Sequence, residues 1–253
     1  MRIAATRQTF HVETAAAATS MSSRWTLSDM AVELPEPKPK IPVEPYKPFS
    51  WPGGPTFSLG QFAIKETVDL HQLVLERQSR RTFSPLPLEK LEGLLSICCR
   101  TYSWSTSDLG FEQQFRGVPS AGAIHPIHVL VQRYRHSGWE RYDPINHSLV
   151  EIPGSHDLAS AARVAADAIV ASGDATLIAL VAEPGKTAAK YYFPESLIWR
   201  DAGIIIGALA WSAEALSLNI CPLGATGTSF VSLISREKTL IGVGLVLIGG
   251  RPE

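Results

Sequence analysis

The chain has little of what would settle its class at once. Three cysteines, Cys98, Cys99 and Cys221, occur in 253 residues. They are odd in number and lack the spacing of a disulfide scaffold, so the chain fits a reducing compartment and the three read as small buried hydrophobes. There is no surplus of charge either: 23 basic side chains face 24 acidic ones. Without a long basic run, nothing electrostatic argues for nucleic acid or an anionic membrane as partner. No apolar run reaches the roughly 18 residues of a membrane span. Residues 202–211 and 241–250 are long enough for a core and no more. The N-terminal stretch, with Arg2, Arg7, His11, Glu13 and Arg24 around a short alanine run, lacks the apolar centre and cleavage pattern of a secretory signal, so the expected location is cytoplasmic. Also missing are an internal repeat and the glycine fingerprint of a dinucleotide-binding turn.

What is present supports a single folded domain. A chain with 45% hydrophobic residues buries a full core at this length. Eight prolines between Pro35 and Pro55, mixed with Glu36, Lys38, Lys40, Glu44 and Lys47, exclude helix and central strand and point to extended chain. Residues 1–60 therefore read as a flexible, Pro-rich extension and 61–253 as the domain. Tyr46, Phe49, Trp51 and Phe57 give the later part of that extension something apolar to dock with.

From Thr67, read as a helix cap, Leu70, Leu73 and Val74 form a helical stripe that delivers Arg77 and Ser79. A second helix starts near Pro87, with Leu88, Leu91, Leu94, Leu95 and Cys98 three and four apart. A turn over 118–123 leads into a strand over 127–134 and a meander of three antiparallel strands. Ser155 is expected to cap a helix that Gly173 ends, and 175–182 reads as a strand buried on both faces. A long helix over 195–218 places Ile205, Leu209 and Ala213 on one face, with Gly203 and Gly207 allowing close packing. Its exit, 218–227, reads as a glycine-containing loop, and 241–249 as a last buried strand. The element order predicts an α+β fold, a central mainly antiparallel sheet flanked by helices.

Two motifs carry chemistry. Arg77-Gln78-Ser79-Arg80-Arg81-Thr82-Phe83 gathers three guanidiniums and a hydroxyl, groups that fork onto phosphate oxygens; helical spacing puts Arg77 and Arg81 on one face and leaves Arg80 at the surface. Pro119-Ser120-Ala121-Gly122-Ala123-Ile124-His125-Pro126 is a turn of small residues in which backbone amides can approach a flat ring. His125 and His128, three apart beside a strand, point to opposite faces and make poor joint metal ligands, so no metal is expected.

Together with Tyr142-Asp143-Pro144, His147 and Leu149, and with the 218–227 segment, these motifs resemble the nitroreductase-fold flavoproteins, and among them the SagB-type dehydrogenases that oxidise azoline rings in ribosomal peptides. The resemblance covers residues 65–253. It implies FMN as cofactor and a homodimer. It also implies that Arg77, Gln78, Ser79 and Arg81 hold phosphate and ribityl chain, that Pro119, Ser120, Ala121 and Gly122 flank the ring, and that Leu223 and Gly224 lie against it. Arg251, just after the last strand, is a further phosphate candidate. Lys190-Tyr191 matches the dipeptide associated with catalysis in SagB-type enzymes, where a base must take the proton released as hydride leaves the ring. The implied partners are a peptide or peptide-like substrate and a cyclodehydratase. Three departures bear on the substrate: Tyr192-Phe193-Pro194-Glu195 replaces the usual basic spacing, Asp201-Ala202-Gly203-Ile204 stands for a common Glu-Ala-Gly-His, and Cys98-Cys99-Arg100 takes the place of small apolar residues. An NAD(P)H-dependent reductase of nitro compounds or quinones, and a non-catalytic partner module of a peptide-modifying complex, are the alternatives on the same fold.

Overall fold

The computed structural model describes residues 34–42, 44–62, 67–235 and 239–252; residues 1–33 of the expected extension lie outside them. In chain order the elements are β1 (Lys38–Pro39), β2 (Thr56–Ser58), α1 (Leu70–Glu76), α2 (Leu88–Cys99), β3 (Thr101–Ser105), β4 (Gln113–Arg116), a 3₁₀ turn (Ala121–Ala123), β5 (Ile127–Gln132), β6 (Glu140–Asp143), β7 (Ser148–Glu151), α3 (His156–Asp167), β8 (Thr176–Ala182), α4 (Pro184–Lys190), β9 (Tyr191–Tyr192), α5 (Glu195–Ala215), β10 (Leu218–Pro222), α6 (Thr228–Ile234) and β11 (Ile241–Gly250).

Seven strands form one antiparallel sheet in the order β10-β11-β8-β5-β6-β7-β2. β8 is buried at every residue because its alternating side chains feed two different cores. Ile178, Leu180 and Ala182 join Leu91, Leu94 and Leu95 of α2 and Ile198, Ile205 and Leu209 of α5 on one face. Leu177, Ala179 and Val181 join Ala159, Ala162 and Ala166 of α3 and Phe230 and Val231 of α6 on the other. The predicted α+β class and the buried face of α5 are observed. The cysteines are free and buried.

Several local expectations are corrected. Asp69, not Thr67, caps α1, its carboxylate accepting from the Gln72 N–H at 2.9 Å. Only Leu73 of the stripe is buried, whereas Leu70 is 70% and Val74 51% exposed; a seven-residue helix has too short a face to bury three positions. Helix α3 stops at Asp167, well before Gly173, and the Ser155 hydroxyl accepts from the Trp139 N–H rather than capping it. The 218–222 segment, read as loop, is β10, because Leu218, Ile220 and their neighbours pair along β11. Residues 184–190, whose Pro184-Gly185 reads as a turn from sequence, are helix α4, opened by Pro184 at its first turn.

The described part of the Pro-rich segment is laid across this scaffold. β2 pairs with β7 at the sheet edge, where missing N–H groups cost least, and Trp51 packs edge-on against His128. Upstream, β1 pairs with β9, and the Lys40 N–H donates to the Lys190 carbonyl at 2.9 Å.

Candidate active site

Helix α5 rises about 30 Å over its 21 residues, and a group of candidate residues gathers at each end. Near its C-terminus stands the arginine motif. The helix that delivers it ends at Glu76, so Arg77 is a cap residue in extended conformation, and the expected shared helical face of Arg77 and Arg81 does not exist. Beyond it the chain runs beside β10: the Arg80 N–H donates to the Ile220 carbonyl at 3.0 Å and Asn219 Nδ2 to the Thr82 carbonyl at 2.8 Å. Arg80 is not a free surface residue. Its Nη1 meets Glu214 Oε2 at 2.5 Å, and Arg251 Nη2 meets Glu214 Oε1 at 2.5 Å. Burial alone would raise the Glu214 pKa, but the two guanidiniums outweigh it and the carboxyl titrates below its ordinary value. Arg77 is half-buried, Gln78, Ser79 and Arg81 are exposed, and among the described residues neither Arg77 nor Arg81 makes an ion pair.

Near the N-terminus of α5 stands the small-residue turn. Gly122, Ala123 and His125 all have positive φ, which is why the turn needs a glycine and tolerates little bulk. Asp201 of α5 clamps it, accepting from Ser120 Oγ at 2.5 Å and from the Ala121 N–H at 3.2 Å, while Ser120 Oγ accepts from the His125 N–H at 3.0 Å. Burial raises the Asp201 pKa against these hydrogen bonds. Gln113 Nε2 donates to the Gly122 carbonyl at 2.7 Å, and Lys190 Nζ approaches the same oxygen at 3.5 Å. A Cβ on Gly122 would lie 3.0 Å from both Lys190 Nζ and Tyr191 Oη. Two motifs 68 residues apart therefore meet at one glycine. Pro119 is exposed, and Ser120, Ala121, Gly122, Lys190 and Tyr191 are half-buried.

Not all of the expected residues join these groups. The Leu223 N–H donates to the Leu245 carbonyl at 2.9 Å and its side chain packs on the core beneath α6, and Gly224 is exposed. Conversely, Gln113, Asp201 and Glu214 bind candidate residues directly and were not singled out for that role. A carboxylate set in an apolar helix or at the end of an apolar strand was the available signal, since a buried charge needs partners.

Glu183, at the end of β8, is fully buried. It accepts from Tyr46 Oη at 3.0 Å and the Phe49 N–H at 2.5 Å, pairs with His128 Nε2 at 2.9 Å, and has Lys186 Nζ at 3.7 Å. Burial would raise its pKa, but the His128 hydrogen bond and the Lys186 charge bring it down to about 2. Burial lowers His128 to about 4, and burial with the nearby Arg116 charge lowers His125 to about 3. Both histidines are neutral structural groups near neutral pH.

Several solved structures share this architecture. A protein of Ralstonia eutropha assigned as a nitroreductase superposes with a TM-score of 0.59 at 20% identity, covering 84% of this chain and 100% of its own. One of Anabaena variabilis, likewise assigned, gives 0.54 at 18% identity, covering 83% of this chain and 41% of its own, so this chain spans less than half of that longer protein. A chain of the Escherichia coli microcin synthetase McbBCD complex, solved with truncated pro-MccB17 bound, gives 0.51 at 15% identity over 77% of this chain and 78% of its own. No protein-family model and no curated protein sequence matches the chain. These likenesses establish the nitroreductase fold.

Proposed function

We propose that this nitroreductase-fold chain is an FMN-dependent oxidoreductase, a SagB-type dehydrogenase that oxidises an azoline-like ring in a peptide or peptide-like product. The observation that carries the reading is the convergence of Lys190 Nζ and Tyr191 Oη on Gly122, within a turn of small side chains. The residues fit the cofactor at both ends. Ser120, Ala121 and Gly122 supply a low surface held in shape by Asp201. Among the described residues Arg77 and Arg81 make no ion pair, which suits a terminal phosphate, whereas Arg80 and Arg251 share Glu214.

FMN, when bound, accepts a hydride at its ring nitrogen. Oxidising the azoline ring also releases one proton, and Lys190 Nζ, with Tyr191 Oη beside it, is the group placed to receive or relay that proton. The peptide nature of the substrate is proposed from the likeness to the microcin synthetase chain, and a cyclodehydratase is the class of partner that makes such rings.

A homodimer belongs to the same proposal. Asp201 and Glu214 stand about 20 Å apart along α5 by its helical rise, so one chain presents the two half-sites at opposite ends of a helix. On that helix Trp199, Gly203, Gly207 and Trp211 recur every fourth residue. The tryptophans are 48% and 51% exposed, and among the described residues, the helix's own backbone and the chain neighbours aside, nothing lies within 4 Å of a Cβ built on either glycine. A stripe of this kind suits a second helix, and an isologous contact supplies one from a second copy.

The test is to purify the chain, denature it and identify the released flavin, then assay thiazoline-peptide oxidation under air against NAD(P)H-driven nitro and quinone reduction. FMN release with azoline turnover and sluggish NAD(P)H bleaching is expected. Rapid bleaching without azoline turnover would replace this reading with the reductase, and a colourless protein that takes up no flavin would overturn both. Light scattering is expected to give a dimer.

A further inference from the structure

We propose that the Pro-rich lead-in is a working part of the active site: it grips helix α4 at both ends and so positions Lys190 and Tyr191 at Gly122. This rests on the proton-handling role given to that pair above.

Helix α4 has little of its own to hold it in place. It is seven residues long, opens with Pro184-Gly185, and buries only Thr187. A helix this short is unstable alone, and an apolar face packed on the core is what ordinarily fixes one. A glycine in its first turn adds backbone freedom. Yet this helix ends at Lys190, and Tyr191 follows as its C-terminal cap. Whatever fixes α4 therefore fixes the two groups that meet at Gly122.

The lead-in supplies that restraint at the start of the helix. Glu183 stands at the N-terminal cap position, but its side chain makes no capping hydrogen bond. The carboxylate turns instead to the lead-in, accepting from Tyr46 Oη at 3.0 Å and from the Phe49 N–H at 2.5 Å. A Cβ on Gly185 would collide with the Tyr46 ring, so the tyrosine occupies the place of a side chain on the first turn.

At the far end the contact is made by backbone. β1 pairs with β9, Pro39 opposite Tyr191 and Lys38 opposite Tyr192. The Lys40 N–H donates to the Lys190 carbonyl at 2.9 Å, and Lys40 Nζ lies 5.4 Å from the centre of the Tyr192 ring. Both residues of β1 are exposed, so its pairing adds nothing to the core. What the pairing adds is restraint on Lys190-Tyr191, and a misplacement of about 1 Å at a reacting centre costs on the order of a hundredfold in rate.

The experiment uses the full FMN-loaded chain and three variants. Lys40→Pro removes the N–H, Lys40→Ala keeps it, and Tyr46→Phe removes a donor to Glu183 while keeping the ring. In Lys40→Pro and Tyr46→Phe, kcat for thiazoline-peptide oxidation should fall about ten- to a hundredfold at unchanged KM and flavin content. Quinone reduction should stay near normal, and Lys40→Ala should match the wild type. The Tyr191 amide, which donates to the Thr187 carbonyl, should exchange about fivefold faster in Lys40→Pro, the worth of one hydrogen bond. Faster exchange with undiminished azoline oxidation, or equal exchange in the two Lys40 variants, would overturn the proposal. Equal loss of both activities would also overturn it, by marking general damage to the fold. Should Lys40→Pro not fold, Tyr46→Phe carries the same test from the other end of α4. If the wild type oxidises no azoline, the proton-handling reading fails by itself and exchange alone judges the lead-in. Faster Tyr191 exchange in Lys40→Pro but not in Lys40→Ala then upholds its grip on the pair, and equal exchange rejects it.

Discussion

The two ends of α5 each carry a buried carboxylate, and the two behave in opposite ways. Glu214 sits between two guanidiniums, whose charge more than offsets its burial and lowers its pKa. Asp201 has only a hydroxyl and a backbone amide for partners, which do not offset burial, and its pKa is raised. The Glu214 end is organised by charge close to the surface and suits an anion. The Asp201 end is organised by hydrogen bonds that shape a turn of small residues, which suits a flat ring. Opposite chemistry at the two ends fits a cofactor with a charged tail and a planar head, each end supplying one half-site in the proposed homodimer.

The sharpest way to break this comparison is at the charged end. Arg77→Ala/Arg81→Ala removes two charge-assisted hydrogen bonds, each of about 1.5 to 3 kcal/mol, and should weaken FMN binding by roughly two to four orders of magnitude. Riboflavin, which lacks the phosphate, should bind the wild type and the double variant alike. Fluorescence titration with both flavins measures the difference, and full FMN affinity in the double variant would remove these arginines from the phosphate site.

Next in size is the proton-handling pair. Lys190→Ala and Tyr191→Phe should keep flavin content and fold while azoline turnover falls by about two orders of magnitude or more. Nitro or quinone reduction by the same variants, assayed at matched flavin loading, should stay near normal. Undiminished azoline oxidation in both variants would assign the proton elsewhere.

Asp201→Ala attacks the clamp. It leaves the Ser120 hydroxyl and the Ala121 N–H without their acceptor, at a cost of about 2 to 4 kcal/mol in folding stability. Urea denaturation measures this, and the loss should exceed that of Asp201→Asn, which keeps an acceptor oxygen. Equal losses would show that the carboxyl's hydrogen bonds are not what holds the turn.

Acid should separate the ends most gently. His125 and His128 have folded pKa values of about 3 and 4 against an ordinary 6.5, so below about pH 6.5 the unfolded chain binds protons first. Their contribution is complete above that pH and is lost as pH falls through 4 and 3. Glu183, with its depressed pKa of about 2, contributes above about pH 4.5 and adds a further loss below it. Hydrogen exchange at pH 5 should show α4 amides losing protection before those of β10, and equal loss in both would mean that the Glu183 cluster is not the acid-sensitive element.

Much of this organisation was legible in the chain, and what escaped shares one cause. The buried face of α5 follows from four-residue spacing of Ile205, Leu209 and Ala213, and β8 from an unbroken apolar run, because side-chain periodicity is a local property. The Arg77 to Phe83 and Pro119 to Ala123 stretches were visible for the same reason: composition over a few residues already states their chemistry. Tertiary structure alone decided that 218–222 is a strand, since its partners in β11, Val246 to Gly250, lie 24 to 32 residues on in the chain. It alone decided that Arg80 shares Glu214 with Arg251, that Asp201 reaches back 81 residues to Ser120, and that the proline-rich lead-in brackets α4. Spacing along a chain carries no record of which distant carboxylate will be buried beside which donor. That choice is made when the sheet closes and every buried charge must find its partner.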